Sequence, residues 1–189
     1  MKNIVLFASG SGSNAVEIIL YFQSKKTAQV KFIITDNSHA GVINKSKSLG
    51  VSSFVFSKEE LKNTENLIDF LQQNNIEMIV LAGYLRKIPV ELITTFPNAI
   101  VNIHPALLPE FGGKGMYGQQ VHESVIKAGK SESGITIHYV NEAYDEGQII
   151  FQEKCEVKKN DTHLSLAERV LKLEHKNYAP VIEQLLNQK

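Results

Sequence analysis

Through the first half of the chain, short apolar runs alternate with longer stretches of mixed polarity. The runs are Ile4–Ala8, Val30–Ile34, Ser53–Phe56, Met78–Ala82 and Ala99–Ile103. Each of the first four leads into a helix-like segment, directly or through a short turn, which is the mark of βαβ units around a parallel sheet. After Gly134 the pattern changes. Ile135–Val140 and Gln148–Val157 read as two strands joined by the polar loop Asn141–Gly147, an antiparallel hairpin. A last helix spans about Thr162 to Asn187, with Ala167, Val170, Leu171, Tyr178, Val181, Ile182 and Leu185 forming an apolar stripe at spacings of three and four. Glu174 falls on that stripe, where a carboxylate is costly unless it has a partner or borders a cleft. The predicted architecture is α/β: a Rossmann-like, mostly parallel twisted sheet with helices on both faces, then a C-terminal antiparallel hairpin and a long helix. No repeat or Pro/Ser-rich linker divides the chain, so a single domain over residues 1–189 is expected.

Composition narrows the function more than the fold. The 189 residues carry 20 Lys+Arg against 20 Asp+Glu, a formal net charge of zero. A protein that binds nucleic acid non-specifically normally has a basic excess, so no nucleic-acid partner is expected. The one Cys excludes an internal disulfide and a Cys-based zinc cluster. Cys155 alternates with Ile149, Phe151 and Val157, so it is predicted to be a packed thiol. The N-terminus begins with a strand-like run and no secretory leader pattern, and no apolar stretch approaches the ~20 residues that span a bilayer. A soluble cytoplasmic protein without a membrane partner is therefore expected. Lys45, Lys47 and Lys58-Glu59-Glu60 read as solvated helix faces. His39, His122 and His163 have no ligand partners at metal spacing, and no metal site is predicted.

Ser9-Gly10-Ser11-Gly12-Ser13-Asn14 follows the first strand, and a helix continues through Ala15–Tyr21. Glycines let the backbone turn tightly there. The free N–H groups at the helix start then face outward with the positive end of the helix dipole, a ready phosphate site. An ordinary N-cap is the simpler reading, but two glycines and several hydroxyl or amide side chains exceed what a cap requires. Gly10-x-Gly12-x-x-Ala15 also matches the dinucleotide fingerprint, and Asp36 ends the second strand where a ribose-binding acid would sit. An NAD-dependent oxidoreductase thus stays open as a rival.

That rival leaves the most unusual stretch unused. Asn102 and His104 lie two apart at the end of a strand, so their side chains share a face at the carboxyl end, where open α/β sheets place ligands. Pro105 biases the chain away from a helical continuation. An amide donor beside an imidazole suits a reaction that develops negative charge on a carbonyl oxygen. Such a histidine needs a carboxylate to orient it and favour its charged form, and Asp145 in the hairpin loop is the candidate. Taken singly, strand-end packing accounts for Asn102 and His104, and a turn before Gly147 accounts for Asp145.

Taken together, Asn102-Ile-His104-Pro-Ala-Leu-Leu-Pro109, Gly134-Ile-Thr-Ile-His138-Tyr-Val140 and Tyr144-Asp145-Glu-Gly147 closely resemble the folate-dependent formyltransferases. With the Ser9–Asn14 loop they are similar to the branch serving purine biosynthesis, and the resemblance runs from Ile4 to about Leu186. It implies an enzyme that moves a formyl group from 10-formyltetrahydrofolate, a co-substrate, to the amino group of glycinamide ribonucleotide. Asn102, His104 and Asp145 match the catalytic trio. Gly12, Ser13 and Asn14 match the loop that holds the ribose-phosphate, and Glu174 the residue that meets the glycinamide. Leu85, Arg86, Lys87 and Ile88, just after Tyr84, match the segment holding the folate pterin through backbone groups. Asn141, Glu142, Ala143, Tyr144 and Asp145 match the folate's other wall, with Asn102 between. Protonated His104 would stabilise the tetrahedral oxyanion, with Asp145 raising its pKa and assisting proton transfer. No metal is implied, and the expected state is a monomer or weak homodimer.

Two positions depart from the family pattern. Glu146 stands where many relatives have Gly, adding a charge to the folate loop. No Arg occurs around Ser57–Glu60, where many relatives contact the cofactor; Lys58 is a less directional substitute. The Gly-rich stretch Gly112–Gly118 reads as a flap near the substrate phosphate. A methionyl-tRNA formyltransferase would need a tRNA-binding part, for which 189 neutral residues leave no room. A non-catalytic binder that retained the fold is the remaining alternative. With no overall positive field, anionic ligands would rely on helix-start N–H groups, Arg86, Lys58 and a protonated His104.

Overall fold

Five strands run parallel: β1 (Lys2–Phe7), β2 (Ala28–Thr35), β3 (Ser52–Val55), β4 (Met78–Leu81) and β5 (Ile100–His104). Then β6 (Glu132–Tyr139) pairs antiparallel with β5, and β7 (Ile149–Glu156) antiparallel with β6. The computed structural model describes residues 1–188, apart from the side chains of Lys58 and Lys62. Within it the seven strands form one sheet in the order β3-β2-β1-β4-β5-β6-β7. The α/β architecture with a C-terminal hairpin and long helix is thus as the sequence pattern predicts.

The continuous apolar runs arise because both faces of the central strands are covered. Along β1, Ile4 and Leu6 enter one core cluster while Val5 and Phe7 enter the other. The first cluster packs under α1 (Ser13–Lys25), α2 (Gly41–Ser48), α6 (Gln119–Lys127) and α7 (His163–Asn187). The second packs under α3 (Lys58–Lys62), α4 (Thr64–Gln73) and α5 (Val90–Thr95). After β1 the chain builds outward through β2 and β3, whereas β4 lies on the other side of β1 and leads to β5. The chain segments leaving β1 and β4 therefore diverge, which opens a crevice at the carboxyl ends of these strands.

The hairpin departs from simple alternation. Its register shifts between Ile137 and His138, so Ile137 faces Phe151 while His138 faces Ile149. Phe151 and Cys155 pack against the core as expected, but Ile149 is exposed. A bulge supplies the reason: the extra residue, Ile150, stands between Ile149 and Phe151, so those two no longer share a face. Thr162 caps α7 through a reciprocal box with Ser165. Of the predicted stripe, Val170, Tyr178, Val181, Ile182 and Leu185 are buried, while Ala167 and Leu171 line the crevice. No helix among the described residues is long and apolar enough to cross a membrane. The Lys58 point charge lies outside the described side chains.

Candidate active site

A cleft of about 940 Å³ lies at the carboxyl ends of β1, β4 and β5. One wall is the glycine loop. Gly12 adopts φ +75 as the residue before α1, and a Cβ there would stand 2.4 Å from Val42 Cγ2. Only glycine meets both conditions. No side chain caps the first turn of α1, which leaves its N–H groups for another acceptor. Ser11, Ser13 and Asn14 line the cleft, while Gly12 sits behind them against Val42.

Asn14 reaches across to the long helix. Its Nδ2 donates to Glu174 Oε2 at 2.7 Å, and its Oδ1 is buried without a partner. Glu174 is only 8% exposed. Burial pushes its carboxyl up to about 7, against the smaller downward pull of the Asn14 hydrogen bond. The apolar stripe's one acidic misfit is therefore a cleft residue, with an amide and not a cation beside it.

The centre of the cleft is built by β5, β6 and the hairpin loop. His104 is 3% exposed, its Nε2 lies 2.8 Å from Phe111 O, and its Nδ1 lies 3.5 Å from Asp145 Oδ2. The carbonyl can only accept, so the network puts a proton on Nε2 and leaves Nδ1 toward Asp145. Asp145, at φ +58, also accepts from the Gly113 N–H at 3.0 Å, which ties the start of the Gly-rich stretch to the carboxylate. Burial raises the Asp145 carboxyl, but His138, His104 and the Gly113 N–H outweigh it and hold it below its ordinary value.

The charge expected on His104 is where the structure differs from the sequence reading. Burial lowers its pKa, and that effect outweighs the upward pull of Asp145 and of the Phe111 carbonyl. Asp145 acts in the expected direction without winning. Burial thus favours the neutral imidazole, whose Nδ1 can take a proton.

Asn102 is oriented by His138, to which the sequence alone gives no role. His138 lies opposite Asn102 in the β5–β6 register, and its Nε2 is 3.1 Å from Asn102 Nδ2. The other ring nitrogen, Nδ1, is 2.9 Å from Tyr139 O. Nδ1–H donates to that carbonyl, so Nε2 accepts from the Asn102 amide and leaves its second N–H free. His138 Nε2 is also 3.6 Å from Asp145 Oδ1. Two residues before His138 on the same strand, Thr136 donates to Ala106 O at 2.7 Å and accepts from Leu108 N at 3.0 Å, holding the bend after Pro105. Alternation put His138 and Thr136 on one face of β6; only the pairing register showed that this face meets Asn102. His122, for which spacing showed no metal partners, also lines the cleft, 5% exposed, and burial with His104 and His163 nearby lowers it to about 4.

The other wall comprises Tyr84–Ile88 and the hairpin loop, of which Asn141, Ala143, Tyr144 and Asp145 line the cleft. Glu142 is exposed and does not reach it. Asp36, the acid needed by a dinucleotide reading, is instead bonded to Arg86 Nε. That pairing engages one oxygen of the carboxylate such a ribose would use and sets an opposite charge against Arg86. The Gly-rich stretch contributes Gly113–Gly118 to the cleft rim.

Residues 2–182 match the family described as formyl transferase. The chain is 42% identical over 187 residues to the chloroplastic phosphoribosylglycinamide formyltransferase of Arabidopsis thaliana, covering 96% of this chain and 64% of that protein. It thus spans less than two thirds of the plant relative's length. To the phosphoribosylglycinamide formyltransferase of Bacillus subtilis it is 37% identical, over 98% of this chain and 95% of the relative. Among solved structures, that of the enzyme of the same name from Streptococcus pneumoniae superposes with a TM-score of 0.86 at 34% identity, covering 98% of this chain and 99% of that one.

Proposed function

The chain belongs to the formyl transferase family, and from that premise we propose that it transfers the formyl group of 10-formyltetrahydrofolate to the amino group of glycinamide ribonucleotide in purine biosynthesis. The observation that carries this reading is the convergence of Asn102, His104 and Asp145 within one cleft. Ser13, Asn14 and Glu174 stand on one side of them and residues 84–88 on the other. The nucleotide phosphate would meet the N–H groups at the start of α1, with Gly12 shaping the turn, and the glycinamide end would approach Glu174. The pterin would lie against Leu85, Arg86, Lys87 and Ile88, with the Asn141–Asp145 loop as its other wall. We assign the protein to the cytoplasm as a monomer or weak homodimer.

The geometry supports a definite sequence of proton positions. The substrate amine attacks the formyl carbon, a C–N bond forms, and the carbonyl electrons move onto oxygen. The free N–H of Asn102 donates to that oxyanion. His104 Nδ1, unprotonated at rest, takes the proton released by the attacking nitrogen. Both ring N–H groups then face acceptors, Phe111 O and Asp145 Oδ2, so the cation is stabilised as it forms. Collapse of the intermediate breaks the bond to the folate nitrogen, which receives the proton from Nδ1. His104 therefore acts first as base and then as acid, with Asp145 supporting the charged state between.

The test is a formyl-transfer assay with both substrates, following the spectral change of folate deformylation. Wild-type protein should turn over. Asn102→Ala, His104→Ala and Asp145→Ala should each lower kcat by about 10²–10³-fold, the usual range for removing one such group, while nucleotide binding persists. Absence of turnover by wild-type protein would overturn the reading, and near-full kcat in any one variant would remove that residue's role.

A further inference from the structure

Residues Gly83–Ile88 have no regular secondary structure, although they form one wall of the cleft. A wall that offers backbone groups to a ligand must be held by contacts from elsewhere, because it has no ladder of its own. Two anchors are apolar: Tyr84 packs edge-on against Phe7 at 5.3 Å, and Ile88 is buried in the core. The polar anchors come from two residues outside the segment. Ser9 donates its backbone N–H to Gly83 O at 3.0 Å, and its hydroxyl accepts the Leu85 N–H at 3.1 Å. Its carbonyl is held in turn by Asn37 Nδ2 at 3.3 Å. Asp36, just beyond β2, accepts from Arg86 Nε.

We propose that Ser9 and Asp36 are positioning residues for the folate co-substrate, clasping the backbone of residues 83–86 in its ligand-ready form. The proposal rests on the functional reading above and deepens it. Ser9 immediately precedes the glycine loop assigned to the nucleotide, yet its side chain serves the opposite wall. An alanine there keeps both backbone bonds of Ser9 and removes only the acceptor for Leu85 N–H. The loop to Asn14 retains its anchors, while Leu85 loses its own. Asp36→Asn likewise keeps the shape of the side chain and removes the charge that holds the Arg86 guanidinium.

The experiment measures both Michaelis constants for Ser9→Ala, Ser9→Thr and Asp36→Asn, with direct titration of tetrahydrofolate by fluorescence and a melting curve for each variant. Ser9→Ala and Asp36→Asn should each raise KM for 10-formyltetrahydrofolate and weaken tetrahydrofolate binding by about five- to tenfold, the factor for one lost intramolecular hydrogen bond. KM for the nucleotide should stay unchanged, and Ser9→Thr, which keeps the hydroxyl, should restore folate binding. Variants that fold and bind tetrahydrofolate like wild type would overturn the clasp alone. Equal losses for both substrates would also overturn it, by showing a general structural role. If wild-type protein binds no tetrahydrofolate, the functional reading falls and takes the clasp with it.

Discussion

Glu174 shows how much one buried group decides. Its carboxyl is removed from water on α7, and a single neutral donor, Asn14 Nδ2 at 2.7 Å, does not offset the loss of hydration. The pKa therefore rises from its ordinary 4.5 to about 7, and the folded protein binds a proton there that the unfolded chain releases. Where the native state binds more protons, stability falls with rising pH. The contribution is complete below pH 4.5 and lost as pH rises through about 7, a change of roughly 3 kcal/mol for this one group. Urea unfolding at a series of pH values should show that decline in wild-type protein, and Glu174→Gln, which cannot ionise, should flatten it. A parallel decline in both proteins would assign the effect elsewhere. The position of Glu174 on an apolar stripe was readable from spacing alone, but its partner 160 residues away was not. The charge on His104 shows a related limit: sequence names the carboxylate that favours it, whereas the burial that opposes it exists only once β5, β6 and the hairpin loop have closed around the ring.

Among the elements, α7 carries the most consequence for the site, because it fixes Glu174 against strands that end in the cleft. The fixing group is Tyr178, fully buried one turn beyond Glu174, whose hydroxyl lies 3.0 Å from Leu81 O and 3.1 Å from Val101 O. One hydroxyl hydrogen is shared between a carbonyl of β4 and a carbonyl of β5, so the helix is pinned to both. Tyr178→Phe keeps the ring and its packing and leaves those carbonyls without the donor. It should lower stability by about 1–2 kcal/mol, read as a lower urea midpoint at an unchanged slope. An unchanged midpoint would mean that packing alone seats the helix. The helix and the parallel strands were legible in the sequence because burial on both faces of a strand, or along one stripe of a helix, leaves a periodic signature. The hairpin was legible only as a hairpin. Its bulge between Ile137 and His138 turns Ile149 outward, and no periodicity marks where an extra residue enters. The same limit concealed His138: strand alternation gives the face a side chain takes, while register gives the residue it meets.

At the scale of the whole molecule, the proposed ligands are two anions and the protein has a formal net charge of zero. Local cations cannot make up the difference in the described residues named for that role. Arg86 is paired at Nε with the opposite charge of Asp36, and burial lowers the pKa of His104 in the resting site. Lys87 and Lys114 also line the cleft but are matched there by Asp145 and Glu168, so attraction comes at short range, from the uncapped N–H groups at the start of α1 and from polar side chains such as Ser13 that are met only on contact. Backbone dipoles of this kind act within the first turn of a helix, and they do not build the long-range field that accelerates encounter. Association of both substrates should therefore be nearly indifferent to salt. Between about 0.01 and 0.15 M, where the Debye length shrinks from about 30 to about 8 Å, stopped-flow association rates should fall by less than about threefold. Steered encounters fall far more steeply over that range. A decline of tenfold or more would show a positive field that the net charge conceals, created by the arrangement of charges around the cleft and not by their sum.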